Sequence, residues 1–204
     1  MNKSKHIKPF IVAIIFLMLV ATIGGLGTFY SFAKSRSIAT KILPAISHLA
    51  LANQYRGQAF LHLMRAINSK DAAAFTIQEQ QIQRSSDLSY NEFNLYEDSI
   101  QSQENRNLYN NLIQERDNYI DCRKDILLLA KSGNMAEANA QLLQGLLPLY
   151  ENYLNKGQAL VNYATTDANE QLHTIRIISI ISQAFAIISS VLIFVFGFML
   201  GYTR

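Results

Sequence analysis

Arg56 occupies a position where an arginine is costly. At 100° per residue, Ile38, Ile42, Leu49, Phe60, Leu63 and Ile67 fall within about 40° of one line, and Arg56 lies about 20° from Leu49 on it. Glu115 falls on the apolar line of a later segment, with Leu108, Leu112, Tyr119, Cys122 and Ile126. Ser85, Ser86 and Ser89 interrupt a third line between Ile82 and Phe93, and Tyr150 and Tyr153 follow Pro148 on a fourth. A buried guanidinium must be paired and hydrogen-bonded. Three readings follow. Arg56 and Glu115 form an ion pair that fixes helix register. Alternatively, these residues line a small polar cavity in which Arg56 binds a carboxylate, assisted by the serines and tyrosines. Otherwise, Arg56 faces a partner subunit.

Other chemistry has little support. Arg65 points about 160° from the core line, and is a further, weaker ligand-binding candidate. His48 and His62 share a face but stand about 21 Å apart along a helix, and the remaining two histidines, His6 and His173, complete no ligand set. There is no HExxH, paired CxxC, phosphate-cradling glycine loop or nucleophile elbow. No catalytic residue, metal or cofactor is expected, and the chain is not read as an enzyme. Cys122 is the single cysteine, so no intrachain disulfide can form and stability must come from packing.

The elements that carry these residues are helices. Residues 34–176 contain only Pro44 and Pro148 as prolines and few glycines, and they lack strand-like alternation. Polar breaks at 67–73, 100–107 and 130–137 divide them. Ser69 or Asp71 can cap the second helix. Gly133 suits a helix C-terminus, and Asn134 with Glu137 forms a capping-box pattern. The spacing predicts helices over 34–69, 71–102, 104–132 and 135–176, joined by short loops as an antiparallel up-down-up-down bundle. Counted along the helices from these breaks, Arg56, the serines, Tyr150 and Glu115 fall at nearly one level.

Two uncharged apolar runs flank the bundle, residues 9–33 and 177–203. Roughly 20 apolar residues cross a bilayer as a helix, so transmembrane helices are expected at 9–33 and 177–202. The first run exceeds the roughly 7–15 residue apolar core of a signal peptide, which favours an uncleaved anchor. Lys3, Lys5 and Lys8 precede it and Arg204 follows the second run, so the tails at 1–8 and 203–204 are assigned to the cytoplasm. Residues 34–176 are then extracytoplasmic. They hold 14 of the 18 Lys and Arg and all 15 acids, a net of −1, and no nucleic-acid partner is expected. Leu43, Ala50 and Leu61 form a second apolar line on the first bundle helix, which suits a symmetric homodimer contact.

This layout resembles the input half of methyl-accepting chemotaxis proteins, and more closely their four-helix-bundle sensor domain. The residues that carry the likeness are "KILPAISHLALANQYRGQAFLHLMRAI" and "LLLAKSGNMAEANAQLLQGLLPLYENYLNKGQALVNYA". They contain Leu43-Pro44 after the first apolar run, Arg56 midway along helix one, and the Gly133-to-Tyr153 spacing. The resemblance implies a dimeric, two-pass receptor of the bacterial inner (cytoplasmic) membrane that senses a small ligand, an anion included, or a ligand-loaded binding protein. Arg56 and, more weakly, Arg65 would inherit anion binding. Such receptors continue into a cytoplasmic linker and signalling coiled coil. These 204 residues carry neither, so output is expected to need a separate receptor or signalling protein. The competing reading is a structural or adaptor membrane protein whose bundle packs against partner membrane proteins.

Overall fold

The structure, a computed structural model, describes residues 7–69 and 71–202. Of the expected tails at 1–8 and 203–204, residues 1–6 and 203–204, with Lys3, Lys5, His6 and Arg204, lie outside the described residues. No strand occurs among the described residues; the fold is all-α. Its elements are α1 (Ile7–Ser37), α2 (Leu43–Ile67), α3 (Ala72–Glu97), α4 (Gln103–Lys131), α5 (Met135–Gln141) and α6 (Leu147–Tyr202). π-helical turns at Ile38–Ile42 and Leu142–Leu146 precede α2 and α6.

Each π turn ends just before a Leu-Pro pair, Leu43-Pro44 or Leu147-Pro148. Proline has no N–H to donate, and its ring crowds the carbonyl four residues earlier. That carbonyl belongs to Thr40 or Gln144, each inside a π turn. The helix therefore widens where the proline demands it, and resumes afterwards.

Local chemistry sets the turns. Asp71 caps α3 by accepting from the N–H groups of Ala73 and Ala74 at 3.1 and 3.4 Å. Ser102 caps α4 through Asn105 N–H at 3.1 Å. α4 ends at Gly133, whose φ of 84° favours glycine. Asn134 N–H reaches back to Leu129 carbonyl at 3.0 Å and Gly133 N–H to Ala130 carbonyl at 3.1 Å, a Schellman closure. The expected capping box is not formed. The Asn134 amide instead donates to the Glu137 carboxylate, so it does not cap the backbone.

The chain divides into two compact units, one of them Lys41–Asp167. That unit is the four-helix bundle. In α2 the buried positions Ala45, Leu49, Ala52, Arg56, Ala59, Leu63 and Ala66 alternate steps of four and three, the seam of a coiled-coil-like packing. Alanines at alternate positions let α3 come close, and the buried Ser89 hydroxyl donates to the Ala52 carbonyl at 2.9 Å. Phe93, Tyr96, Leu112, Tyr119, Ile126, Leu146 and Leu160 complete the interior.

The second unit combines the chain up to Thr40 with that from Ala168 onward. Most of its large apolar side chains are exposed, among them Met18, Leu26, Phe29, Phe32, Ile187 and Phe194. Its two helices are long and apolar enough to cross a membrane. Within it Gly24 and Gly27 face Ser182, and Val20 and Ser182 are buried. Small residues at such a contact allow close helix approach.

Candidate ligand-binding site

Arg56 is only 4% exposed. Its Nη1 donates to the backbone carbonyl of Tyr153 at 2.8 Å, and its guanidinium carbon lies 4.4 Å from the centre of the Tyr153 ring. Gly157, one turn further along α6, makes this possible. A Cβ there would stand 2.8 Å from Nη1 and 3.0 Å from Asn53 Oδ1, so only glycine leaves the Tyr153 carbonyl approachable. The partner considered from sequence, Glu115, is half-buried on α4 and takes part in no ion pair among the described residues. The register-locking pair Arg56–Glu115 is therefore absent. Arg56 lies on the seam of α2, whereas Glu115 is set off from the buried line through Leu112 and Tyr119.

A second buried arginine takes the place that the sequence reading assigned to Cys122. Arg123 is 5% exposed, while Cys122 is half-buried. Arg123 Nη1 donates to Ser86 Oγ at 2.7 Å, and Ser86 Oγ in turn donates to the Ile82 carbonyl at 2.7 Å. Its guanidinium lies 5.6 Å from the Tyr119 ring centre. The α4 stripe runs Leu112, Tyr119, Arg123, Ile126, Ala130. The signal was Arg123 itself, spaced four after Tyr119 and three before Ile126. Phasing through apolar residues alone chose its neighbour.

The tyrosines join the two arginines. The Tyr119 and Tyr153 ring centres are 5.8 Å apart, and Tyr119 also lies 5.5 Å from Tyr150. Tyr150 stacks on Phe60 at 4.1 Å and 8°. Burial holds the Arg56 guanidinium below its ordinary pKa, an effect opposed by the neighbouring Tyr153, Tyr150 and Tyr119. Burial likewise pushes the Tyr153 phenol up, and Tyr119 up to about 12. Tyr119 Oη, Arg56 Nε and Arg123 Nε are buried with no hydrogen-bond partner among the described residues.

These groups line one cavity of about 790 Å³ that opens between α3 and α4. Arg56, Ser86, Ser89, Tyr119, Arg123 and Tyr153 belong to its wall. Toward its exposed rim stand Asp87, Tyr90, Lys124 and Lys131. Of the wall's carboxylates, Glu79 pairs with Lys131 at 3.3 Å and Asp87 accepts from the Gln83 amide at 2.8 Å. Neither pairs with a buried arginine. The cavity thus brings together Arg56, Ser86, Ser89 and Tyr153 from the sequence candidates. Ser85 is buried on α3 outside the wall, Tyr150 lies in the aromatic stack, and Glu115 and the exposed Arg65 stand apart from the wall. Leu43, Ala50 and Leu61 are all exposed on α2. Chemically, the cavity is rich in donors and positive charge and has an aromatic floor.

A family described as "four helix bundle sensory module for signal transduction" matches residues 3–175. No curated protein matches the chain.

Proposed function

Because the chain belongs to the family of four-helix-bundle sensory modules for signal transduction, we propose that it is the membrane-anchored input part of a chemoreceptor and binds a small anionic ligand inside the bundle. Residues 34–176 lie outside the cytoplasm in this reading, between bilayer spans at 9–33 and 177–202 of a bacterial inner membrane. The observation that carries it is Arg56. A guanidinium buried on a cavity wall, with a backbone carbonyl and an aromatic face but no carboxylate, is half of an ion pair.

Signalling follows from the connection of elements. α6 carries Tyr153 of the cavity and the second apolar stretch in one helix, Leu147–Tyr202. A ligand that binds one arrangement of α6 better than another shifts the population towards it, and a small sliding of the helix passes into the span. A homodimer built on the exposed line Leu43, Ala50 and Leu61 accommodates such sliding.

The test uses the whole chain in lipid nanodiscs. Thermal unfolding is followed with a panel of carboxylic and amino acids. A true ligand at a hundred times its Kd adds about 2.7 kcal/mol of stability. Arg56→Met should abolish that gain while leaving the unliganded protein as stable as before or more so, because it removes an unpaired buried charge. A large loss of stability in unliganded Arg56→Met, with no acid stabilising the native protein, would mark Arg56 as structural. The adaptor reading is separated by cross-linking from Ala50→Cys in a Cys122→Ser background. A receptor gives the symmetric homodimer, whereas an adaptor captures other membrane proteins.

A further inference from the structure

Arg123 enters from α4 the cavity that Arg56 enters from α2. They are 5% and 4% exposed, and neither belongs to an ion pair among the described residues. Each Nε is buried without an acceptor, so the protein satisfies neither guanidinium fully. One cation removed from water calls for one anion, and two in a single cavity call for two. The wall supplies none that is uncommitted, because Glu79 is held by Lys131 and Asp87 by Gln83.

The two guanidiniums rest on different rings, Arg56 on Tyr153 and Arg123 on Tyr119, whose centres are 5.8 Å apart. We propose that the cavity between α3 and α4 binds a short dicarboxylate, with one carboxylate on Arg56 and the other on Arg123. This rests on the ligand-binding reading of Arg56 and adds the second contact and the ligand's charge. A planar guanidinium takes a carboxylate with two parallel hydrogen bonds, which a single ammonium cannot match. The tyrosine faces cover the chain between the acids. An α-amino acid fits less well, since its ammonium would meet two arginines and no free carboxylate. Ser86 is a positioning residue: its hydroxyl, fixed by the Ile82 carbonyl, holds Arg123 Nη1.

Titration calorimetry on the full chain in nanodiscs tests this with malonate, succinate, glutarate and adipate. Butyrate, aspartate and inorganic phosphate serve as comparators. At least one diacid should bind ten-fold or more tighter than butyrate, aspartate or phosphate. Arg123→Gln should reduce that diacid to the level of butyrate and leave butyrate unchanged. Arg123→Lys should lose much of the gain, and Ser86→Ala should weaken the diacid several-fold. If Arg123→Gln does not fold, the latter two variants decide. Diacids binding no better than butyrate, phosphate binding as well as the best diacid, or Arg123 and Ser86 variants without effect would each overturn the proposal. Monoacid binding that depends on Arg56 but not on Arg123 would sink this inference and leave the Arg56 reading standing. Binding of no acid at all would sink both.

Discussion

Gly157 faces Arg56 so closely that a Cβ at 157 would stand 2.8 Å from Nη1 and 3.1 Å from Nη2. The glycine and the arginine are one arrangement. The missing side chain opens the Tyr153 carbonyl, one helical turn back, to a donor from outside the helix, and Arg56 Nη1 takes it at 2.8 Å. A carbonyl has two acceptor sites, so this bond adds to the helix's own.

Gly157→Ala should therefore destabilise the protein despite alanine's better helix propensity. Overpacking of this kind costs about 1–3 kcal/mol, against about 1 kcal/mol recovered from propensity. In an Arg56→Ala background both guanidinium contacts are gone and only Asn53 Oδ1 at 3.0 Å stays close, so the same substitution should cost less or stabilise by up to about 1 kcal/mol. A double-mutant cycle by urea unfolding checks it. Simple additivity of the two changes would show that the glycine is not there for the arginine.

Burial of the Tyr119 phenol predicts a weakness in base. Its pKa rises from 10.0 to about 12, and burial is the main cause. A folded pKa above the unfolded one gives stability that is complete below pH 10 and lost as pH rises towards 12. Within that window the unfolded chain has released the proton and the folded chain has not. Each such group lowers stability by about 1.4 kcal/mol per pH unit. Tyr153, also raised by burial, acts in the same direction. Chemical unfolding at pH 9, 10 and 11 should show this decline, and Tyr119→Phe should make it shallower.

The fold was legible because helix signals are local. Asp71 caps α3 as its residue type suggests, Gly133 ends α4, and two uncharged runs mark the long apolar helices, whereas Ser102, expected at the end of the second helix, instead caps α4. The site was half legible. Arg56 and the serines stood out because they break an apolar stripe. Glu115 looked like a partner because opposite charges at similar height invite pairing, yet a rotation of one position about the axis decides whether they meet. Arg123 was hidden for the complementary reason. Apolar periodicity passes over a buried cation, and only the contacts with Ser86 and Tyr119 reveal it.

Two glycines of the bundle should respond differently to a methyl group. Gly133 has φ 84°, where a side chain is strained whatever space surrounds it. Gly133→Ala should cost about 1–2 kcal/mol and loosen the Schellman closure between α4 and α5. At Gly145 a Cβ would meet Cys122 Sγ at 3.6 Å, an ordinary contact, so Gly145→Ala should be neutral within about 0.5 kcal/mol. Thermal melts of the two variants side by side, with hydrogen exchange on Gly133→Ala, would check the contrast. Equal effects would mean that backbone conformation is not what selects glycine at 133.

Gly27 and Ser182 give the apolar unit its own test. A Cβ at Gly27 would lie 3.4 Å from Ser182 Cβ and 2.1 Å from its hydroxyl, whereas one at Gly25 would meet nothing within 4 Å. Disulfides join Cβ atoms about 3.5–4.5 Å apart, so this pair is nearly at bonding separation. In a Cys122→Ser background, Gly27→Cys with Ser182→Cys should form an intrachain disulfide quickly under mild oxidation. Gly25→Cys with Ser182→Cys should stay reduced. The readout is protection from a maleimide-PEG gel shift in membranes. The substitution at 27 replaces hydrogen with a thiol-bearing side chain at a close helix contact, so modest strain in the bond is expected and reduction should be easy. Equal oxidation of the two pairs would mean that the helices slide or rotate freely, and that the glycines do not set their contact.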